Sequence, residues 1–161
     1  MSHLEDLLCE FYDRQGYIVR RNVHVGRLKH GGWQSEPDIV AYHPKTGDWL
    51  HLEPSIDAHP WSRRQERFRK KFHAGKQFMF SDVFPWLNRG TPLKQIAVLV
   101  TRGADPRDLA GGEVIAIDEI LREMRSQVAA VGKVASTAIP EQYRLLRTVQ
   151  MVDCGYYRRL E

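Results

Sequence analysis

Glu36-Pro37-Asp38-Ile39-Val40-Ala41-Tyr42-His43-Pro44-Lys45-Thr46-Gly47-Asp48-Trp49-Leu50-His51-Leu52-Glu53-Pro54-Ser55 is the stretch on which the fold of this chain turns. Two short strands, Asp38 to Tyr42 and Trp49 to Glu53, flank the turn-forming run from His43 to Asp48, the pattern of a hairpin. If the arms pair symmetrically, Tyr42 faces Trp49, Val40 faces His51 and Asp38 faces Glu53. Side chains directly opposite in an antiparallel pair have Cβ atoms about 4.5–5.5 Å apart. Two like charges at that spacing repel unless a proton or a cation lies between them. Carboxylate oxygens with room for water suit Mg²⁺, a hard ion that prefers octahedral oxygen coordination. Taken alone, the hairpin is equally compatible with a solvated acidic pair at a strand end, since a one-residue slip in register moves every side chain to the other face.

Upstream, Leu4, Leu7, Leu8, Phe11 and Tyr12 follow helical spacing, which predicts a helix from Leu4 to Gln15 stopped by Gly16. Tyr17 to Val25 alternates as a strand, and Arg27 to Gln34 reads as a basic, glycine-rich loop. Downstream, a basic helix is expected over Ser62 to Ala74, with Ser62 and Gln65 as a capping box and Gly75 as its stop. Ile96 to Thr101 is an apolar run expected to be a strand buried on both faces. Asp105 to Leu109 is expected as a short helical crossover, Val114 to Ile117 as a buried strand and Asp118 to Val128 as a helix. A last helix is expected to start near Pro140, which suits a first helical position. The order predicts an α/β domain with a mixed central sheet flanked by helices on both faces.

The size and composition fit one domain over residues 1–161. The chain has 42% hydrophobic and 27% charged residues, with 24 Lys and Arg against 20 Asp and Glu, a formal net charge of +4. That balance belongs to a folded chain and permits a polyanionic partner. No apolar run approaches the roughly 20 residues that span a bilayer. The first residues have neither the basic nor the apolar segment of a secretory signal, so a cytoplasmic location is expected. Cys9 and Cys154 stand alone, which argues against a disulfide scaffold or a zinc ribbon.

Pro37-Asp38 at the start of one strand and Glu53-Pro54-Ser55 at the end of the next resemble the signature of the PD-(D/E)xK nuclease superfamily. Upstream, Glu5 precedes Gly16 by eleven residues, followed by Tyr17-Ile18-Val19-Arg20. This is similar to members such as Holliday-junction resolvases and Mrr-type restriction enzymes, which place a helical Glu before a Gly-Tyr-x-Val strand. The resemblance covers roughly residues 5 to 80. It implies a restriction-endonuclease-like fold and a nuclease that hydrolyses phosphodiester bonds of DNA with a metal-activated water. Asp38 and Glu53 would then hold Mg²⁺ (or Mn²⁺), the main-chain carbonyl of Pro54 would be a further ligand, and Glu5 would assist from the first helix.

The sequence departs from that signature at Ser55, where the superfamily carries Lys. A hydroxyl supplies no positive charge for the reacting phosphate. Some members move the Lys to the following helix. Here Lys71 lies at the border of the apolar face marked by Trp61, Phe68 and Phe72, whereas Lys70 points outward. Lys71 is therefore expected either to lean over the sheet toward Glu53 as a catalytic charge or to lay its stem along a core edge.

Residues 63 to 76 hold seven basic side chains and one acid, Glu66. Arg63, Arg64, Arg67 and Lys70 on this helix, with Arg27 and Lys29 on the glycine-rich loop, are the expected contacts to nucleic-acid phosphates. The chain has no room for a separate recognition domain, so strong sequence specificity is expected to need a homodimer or larger assembly, or the loop at residues 26 to 35. His51 shares the face of Glu53 and is expected either to support it or to be an exposed strand residue. Trp33, Trp49, Trp61 and Trp86 are read as core or strand-pair aromatics, Gly31-Gly32 lacks the setting of a phosphate loop, and Tyr156-Tyr157-Arg158-Arg159 fits a contact segment or a packed tail. The alternative from another functional class is a nuclease-fold module that binds nucleic acid without cutting it, or a subunit of a larger nucleoprotein complex; Ser55 is its main support.

Overall fold

The computed structural model describes residues 2–100 and 108–154. Helix α1 (His3–Arg14) leads into β1 (Ile18–Arg21), β2 (Val25–Arg27), β3 (Trp33–Ser35), β4 (Ile39–Tyr42) and β5 (Trp49–Ser55). Then come α2 (Trp61–Asp82), β6 (Leu93–Leu99), β7 (Asp108–Leu109), β8 (Gly112–Ala116), α3 (Ile117–Val131) and α4 (Arg144–Asp153). Six strands form a mixed sheet in the order β1-β4-β5-β6-β8-β7, and β2 pairs with β3 apart from it. The β4–β5 hairpin is antiparallel, and β5–β6 and β6–β8 are parallel. Its register joins Tyr42 to Trp49 and Val40 to His51, as the symmetric pairing predicts.

The two faces of the sheet follow the strand period of two. Ile39 and Ala41 of β4, Leu50 and Leu52 of β5, and Ile96 and Val98 of β6 are buried in a core with α1, α3 and α4. The alternate residues face α2, where Val40 and Trp49 pack with Met79, and Ala97 and Leu99 pack with Phe68 and Phe72. Glu53 and Ser55 have the same parity as Trp49 and therefore lie beneath α2. Both are buried, as is His51 between them and Trp49.

Several elements differ from the sequence reading. The expected strand from Tyr17 to Val25 breaks at Asn22, which adopts a left-handed φ of 47°, so the chain leaves the sheet after β1 and starts a separate arm. The expected loop from Arg27 to Gln34 is that arm: Arg27 pairs with Trp33 and Val25 with Ser35. Helix α2 starts at Trp61 after Pro60 without a side-chain cap, and Gln65 instead accepts from the Ala110 N–H at 3.0 Å. Gly75 does not end α2, which runs on to Asp82. Asp108–Leu109 is a strand rather than part of a helical crossover, joined to β8 by the turn Ala110-Gly111, both at positive φ. Residues 101–107 and the Tyr156-Tyr157-Arg158-Arg159 segment lie outside the described residues. The last helix begins at Arg144, and Pro140 sits in the turn before it, where its carbonyl accepts from the Tyr143 N–H. Among the described residues, no helix is long and apolar enough to cross a membrane.

Candidate functional site

The carboxylates of Asp38 and Glu53 converge at the open end of the β4–β5 hairpin. Glu53 Oε1 accepts from the Asp38 N–H at 3.3 Å, so these residues meet as the register predicts. Lys71 comes down from α2 onto both. Its Nζ lies 2.9 Å from Asp38 Oδ1 and donates to Glu53 Oε2 as well. The side chain of Glu53 is 1% exposed, that of Asp38 22% and that of Lys71 28%, so the group opens to solvent on the Asp38 side.

The electrostatics follow from this placement. Burial opposes charge on Lys71, but the Glu53 and Asp38 carboxylates outweigh it and raise the pKa of the amine. One ammonium thus faces the carboxyls of both Asp38 and Glu53, and that of Asp38 is held away from its ordinary acidity. Burial and the neighbouring Glu53 push its pKa up to about 7, against the pull of Lys71.

Beneath Glu53 lies a buried polar relay. His51 Nε2 is 2.8 Å from Glu53 Oε1, and His51 Nδ1 is 3.0 Å from Gln95 Nε2, which also donates to the Phe72 carbonyl at 2.8 Å. Burial pulls the His51 pKa down to about 3, so the ring is neutral. Gln95 supplies a donor at Nδ1, which leaves the single ring proton on Nε2 to bond Glu53. Of the two roles open to His51 in the sequence, the structure shows the support of Glu53.

Ser55, at the place of the superfamily's Lys, belongs to a second cluster. Its Oγ donates to Asp57 and accepts from Arg67 Nη2 at 2.7 Å. Arg64 Nε lies 3.3 Å from Asp57 Oδ1. Burial raises the Asp57 pKa, but hydrogen bonds from Ser55, the His59 N–H and Arg67 prevail and hold it well below the usual carboxylate range. A cleft of roughly 350 Å³ joins both clusters and is lined by Glu5, Asp38, Pro54, Asp57, Arg67 and Lys71, among others.

The structure thus brings Asp38, Pro54, Lys71 and Glu5 to one cleft, with Glu53 buried behind its wall and bonded to Lys71. Glu5 has a local duty too: its carboxylate accepts from Ser2 Oγ at 3.0 Å, and its N–H donates back to that hydroxyl, which makes Ser2 the N-cap of α1. Arg67 lines this cleft as well as the basic groove above it. Arg63 and Lys70 are exposed along that groove, with Lys70 on Glu66 at 3.0 Å. Arg64 departs from its expected role: it is 6% exposed and bound to Asp57, so it braces the loop after β5 instead of presenting its charge to solvent. Arg27 and Lys29 are exposed on the β2–β3 arm. Among the tryptophans, Trp49 is a core residue, but Trp33 is 45% and Trp86 60% exposed. Sequence reasoning passed over Asp57 as a site residue; the turn-like Asp-Ala-His-Pro after Ser55 was the available signal.

The oxygen donors present are the two carboxylates and the Pro54 carbonyl, a hard set with excess negative charge that fits a divalent cation such as Mg²⁺. Lys71 already shows a cation held by both carboxylates. Among the described residues, no group of three or more His, Cys, Asp or Glu side chains is placed to share a metal ion. No family model matches this chain, and neither curated proteins nor solved structures give a match.

Proposed function

We propose that this chain is a metal-dependent nuclease of the PD-(D/E)xK, restriction-endonuclease-like type, acting on phosphodiester bonds of DNA with water as the nucleophile. The observation that carries this reading is Lys71, delivered by α2 onto both the buried Glu53 and the Asp38 that lines the cleft beside it. The antiparallel hairpin followed by a helix and a parallel strand supports it as well.

Asp38, Glu53 and the Pro54 carbonyl are the residues that would hold Mg²⁺ (or Mn²⁺). Such an ion, when bound, supplies a water of lowered pKa and positive charge for the reacting phosphate. Lys71 keeps a fixed ammonium at the mouth of the site, where charge builds on the phosphate. Arg67, bonded to Ser55, puts a guanidinium where the superfamily carries its Lys. Its planar fork matches two phosphate oxygens at once. Arg63, Lys70, Arg27 and Lys29 supply sequence-independent, salt-sensitive grip on the backbone.

The test is cleavage of supercoiled plasmid with Mg²⁺ or Mn²⁺, with an EDTA control. Metal-dependent nicking that Asp38→Ala and Glu53→Ala abolish is expected, with a loss of about a hundredfold in Lys71→Ala. Folded protein that leaves plasmid, branched DNA and RNA intact would instead support the second reading, a binding module without catalysis. What favours that reading is Ser55, whose hydroxyl is committed to Asp57 and Arg67.

A further inference from the structure

The β2–β3 arm stands outside the main sheet. From Val25 to Ser35 it contains no acidic residue, and it exposes Arg27 and Lys29. It also exposes two large apolar side chains, Leu28 and Trp33, each at 45%. Arg27 and Trp33 are direct cross-strand partners and so project from one face. The tip is a set turn: the Leu28 N–H donates to the Gly32 carbonyl at 3.1 Å, and Gly31 and Gly32 adopt φ of 90° and 84°.

The root of the arm is anchored on α2, the helix that carries Lys71. The Gly26 N–H donates to Asp82 Oδ2 at 2.7 Å, and a Cβ on Gly26 would meet the Phe78 ring at 2.7 Å. Phe78 lies two helical turns beyond Lys71 on the same face of α2, about 10 Å along the axis. On the other side, the Val23 N–H donates to the Pro37 carbonyl at 3.1 Å, and β3 ends three residues before Asp38. The arm and the carboxylates therefore share both a helix face and a stretch of chain.

We propose that this arm enters the major groove of duplex DNA, with Arg27 and Lys29 on backbone phosphates and Trp33 in apolar contact with base edges. The proposal rests on the nuclease reading for its choice of polymer. A two-stranded ribbon fits the roughly 12 Å width of that groove, and apolar side chains find thymine methyl groups there. Cationic side chains on an arm that carries no acidic residue of its own complement the phosphates that flank it. The arm's anchorage fixes the groove relative to Asp38 and Glu53, so one element both binds the duplex and sets where its backbone passes the site.

The test is fluorescence anisotropy of a labelled DNA duplex with the full chain in EDTA, across a range of salt, with Mg²⁺-dependent plasmid cleavage measured in parallel. Arg27→Ala/Lys29→Ala should reduce the slope of log affinity against log salt by roughly 2. Trp33→Ala should weaken binding roughly tenfold with the slope unchanged. An RNA duplex, whose major groove is too deep and narrow for side chains, and a single strand should both bind more weakly than the DNA duplex. All four substituted or comparison measurements leave the buried core untouched. Duplex affinity indifferent to the arm variants overturns the proposal, even if the protein cleaves plasmid. Preferred binding of the single strand or the RNA duplex also overturns it. Arm-dependent duplex binding without cleavage supports the arm and counts against the nuclease reading alone.

Discussion

Gly75 of α2 lies directly against His51 of β5. A Cβ on Gly75 would fall 2.6 Å from His51 Nδ1 and 3.1 Å from Gln95 Nε2. The helix can therefore pass over the relay that supports Glu53 only where it has no side chain. Gly75→Ala should gain about 1 kcal/mol of helix propensity. It should lose more than that to overpacking, which typically costs about 1–3 kcal/mol. Urea denaturation of this variant should show net destabilisation. A more stable variant would mean that α2 does not press on the relay.

Lys71 is the ammonium bonded to both Asp38 and Glu53. Lys71→Met keeps its length but leaves a buried Glu53 facing Asp38 without their shared cation. Removing one member of a buried ion pair costs several kcal/mol, and partial exposure here moderates the loss to about 2–3 kcal/mol. Thermal denaturation in EDTA should show the loss, and added Mg²⁺ should recover more stability in the variant than in the parent protein. A variant as stable as the parent in EDTA would refute the role of Lys71 as the cation of this pair.

His51 bridges Glu53 and Gln95 in the buried relay. His51→Leu leaves a carboxylate oxygen and an amide donor without that partner, at about 1–3 kcal/mol each. Gln95→Leu in the same chain should cost less than the two single changes added together, because the second substitution removes a group the first had orphaned. A double-mutant cycle by chemical denaturation reads this directly, and strict additivity would disprove the relay.

Asp57 gives a pH dependence of known sign. Its carboxyl is more acidic in the fold than in the unfolded chain, where an Asp titrates at about 3.9. The unfolded state therefore takes up the proton first as pH falls. The stability contributed by Asp57 is complete above that value and is lost as pH drops toward the depressed folded value. Asp57→Asn should be less stable than the parent at pH 7, with the gap closing in acid. A gap that is constant from neutral to acidic pH would mean that the charge of Asp57 contributes nothing.

The hairpin was readable in one dimension because strand period and turn chemistry are local. Asp38 and Glu53 followed from its register, and Lys71 from its angular place on an amphipathic helix. The β2–β3 arm was not readable, because its strands are three residues each and take their order from packing on Phe78 and Asp82. Gly75 misled for a related reason: a glycine that ends a helix and one that admits a neighbouring side chain look the same in sequence.

Local pattern in the sequence thus determined the α/β class, the pairing that opposes two carboxylates and the basic character of the helix after them. Tertiary structure decided which charges those carboxylates meet. Arg64 and Arg67 are chemically equivalent in the sequence, yet Arg64 is buried against Asp57 while Arg67 reaches Ser55 in the cleft. His51 became a neutral support because Gln95, more than forty residues away, supplies the donor that fixes its proton. Hydrophobic periodicity specifies faces, but the partner of a buried polar group is set by whichever segment the packed core brings within hydrogen-bond reach.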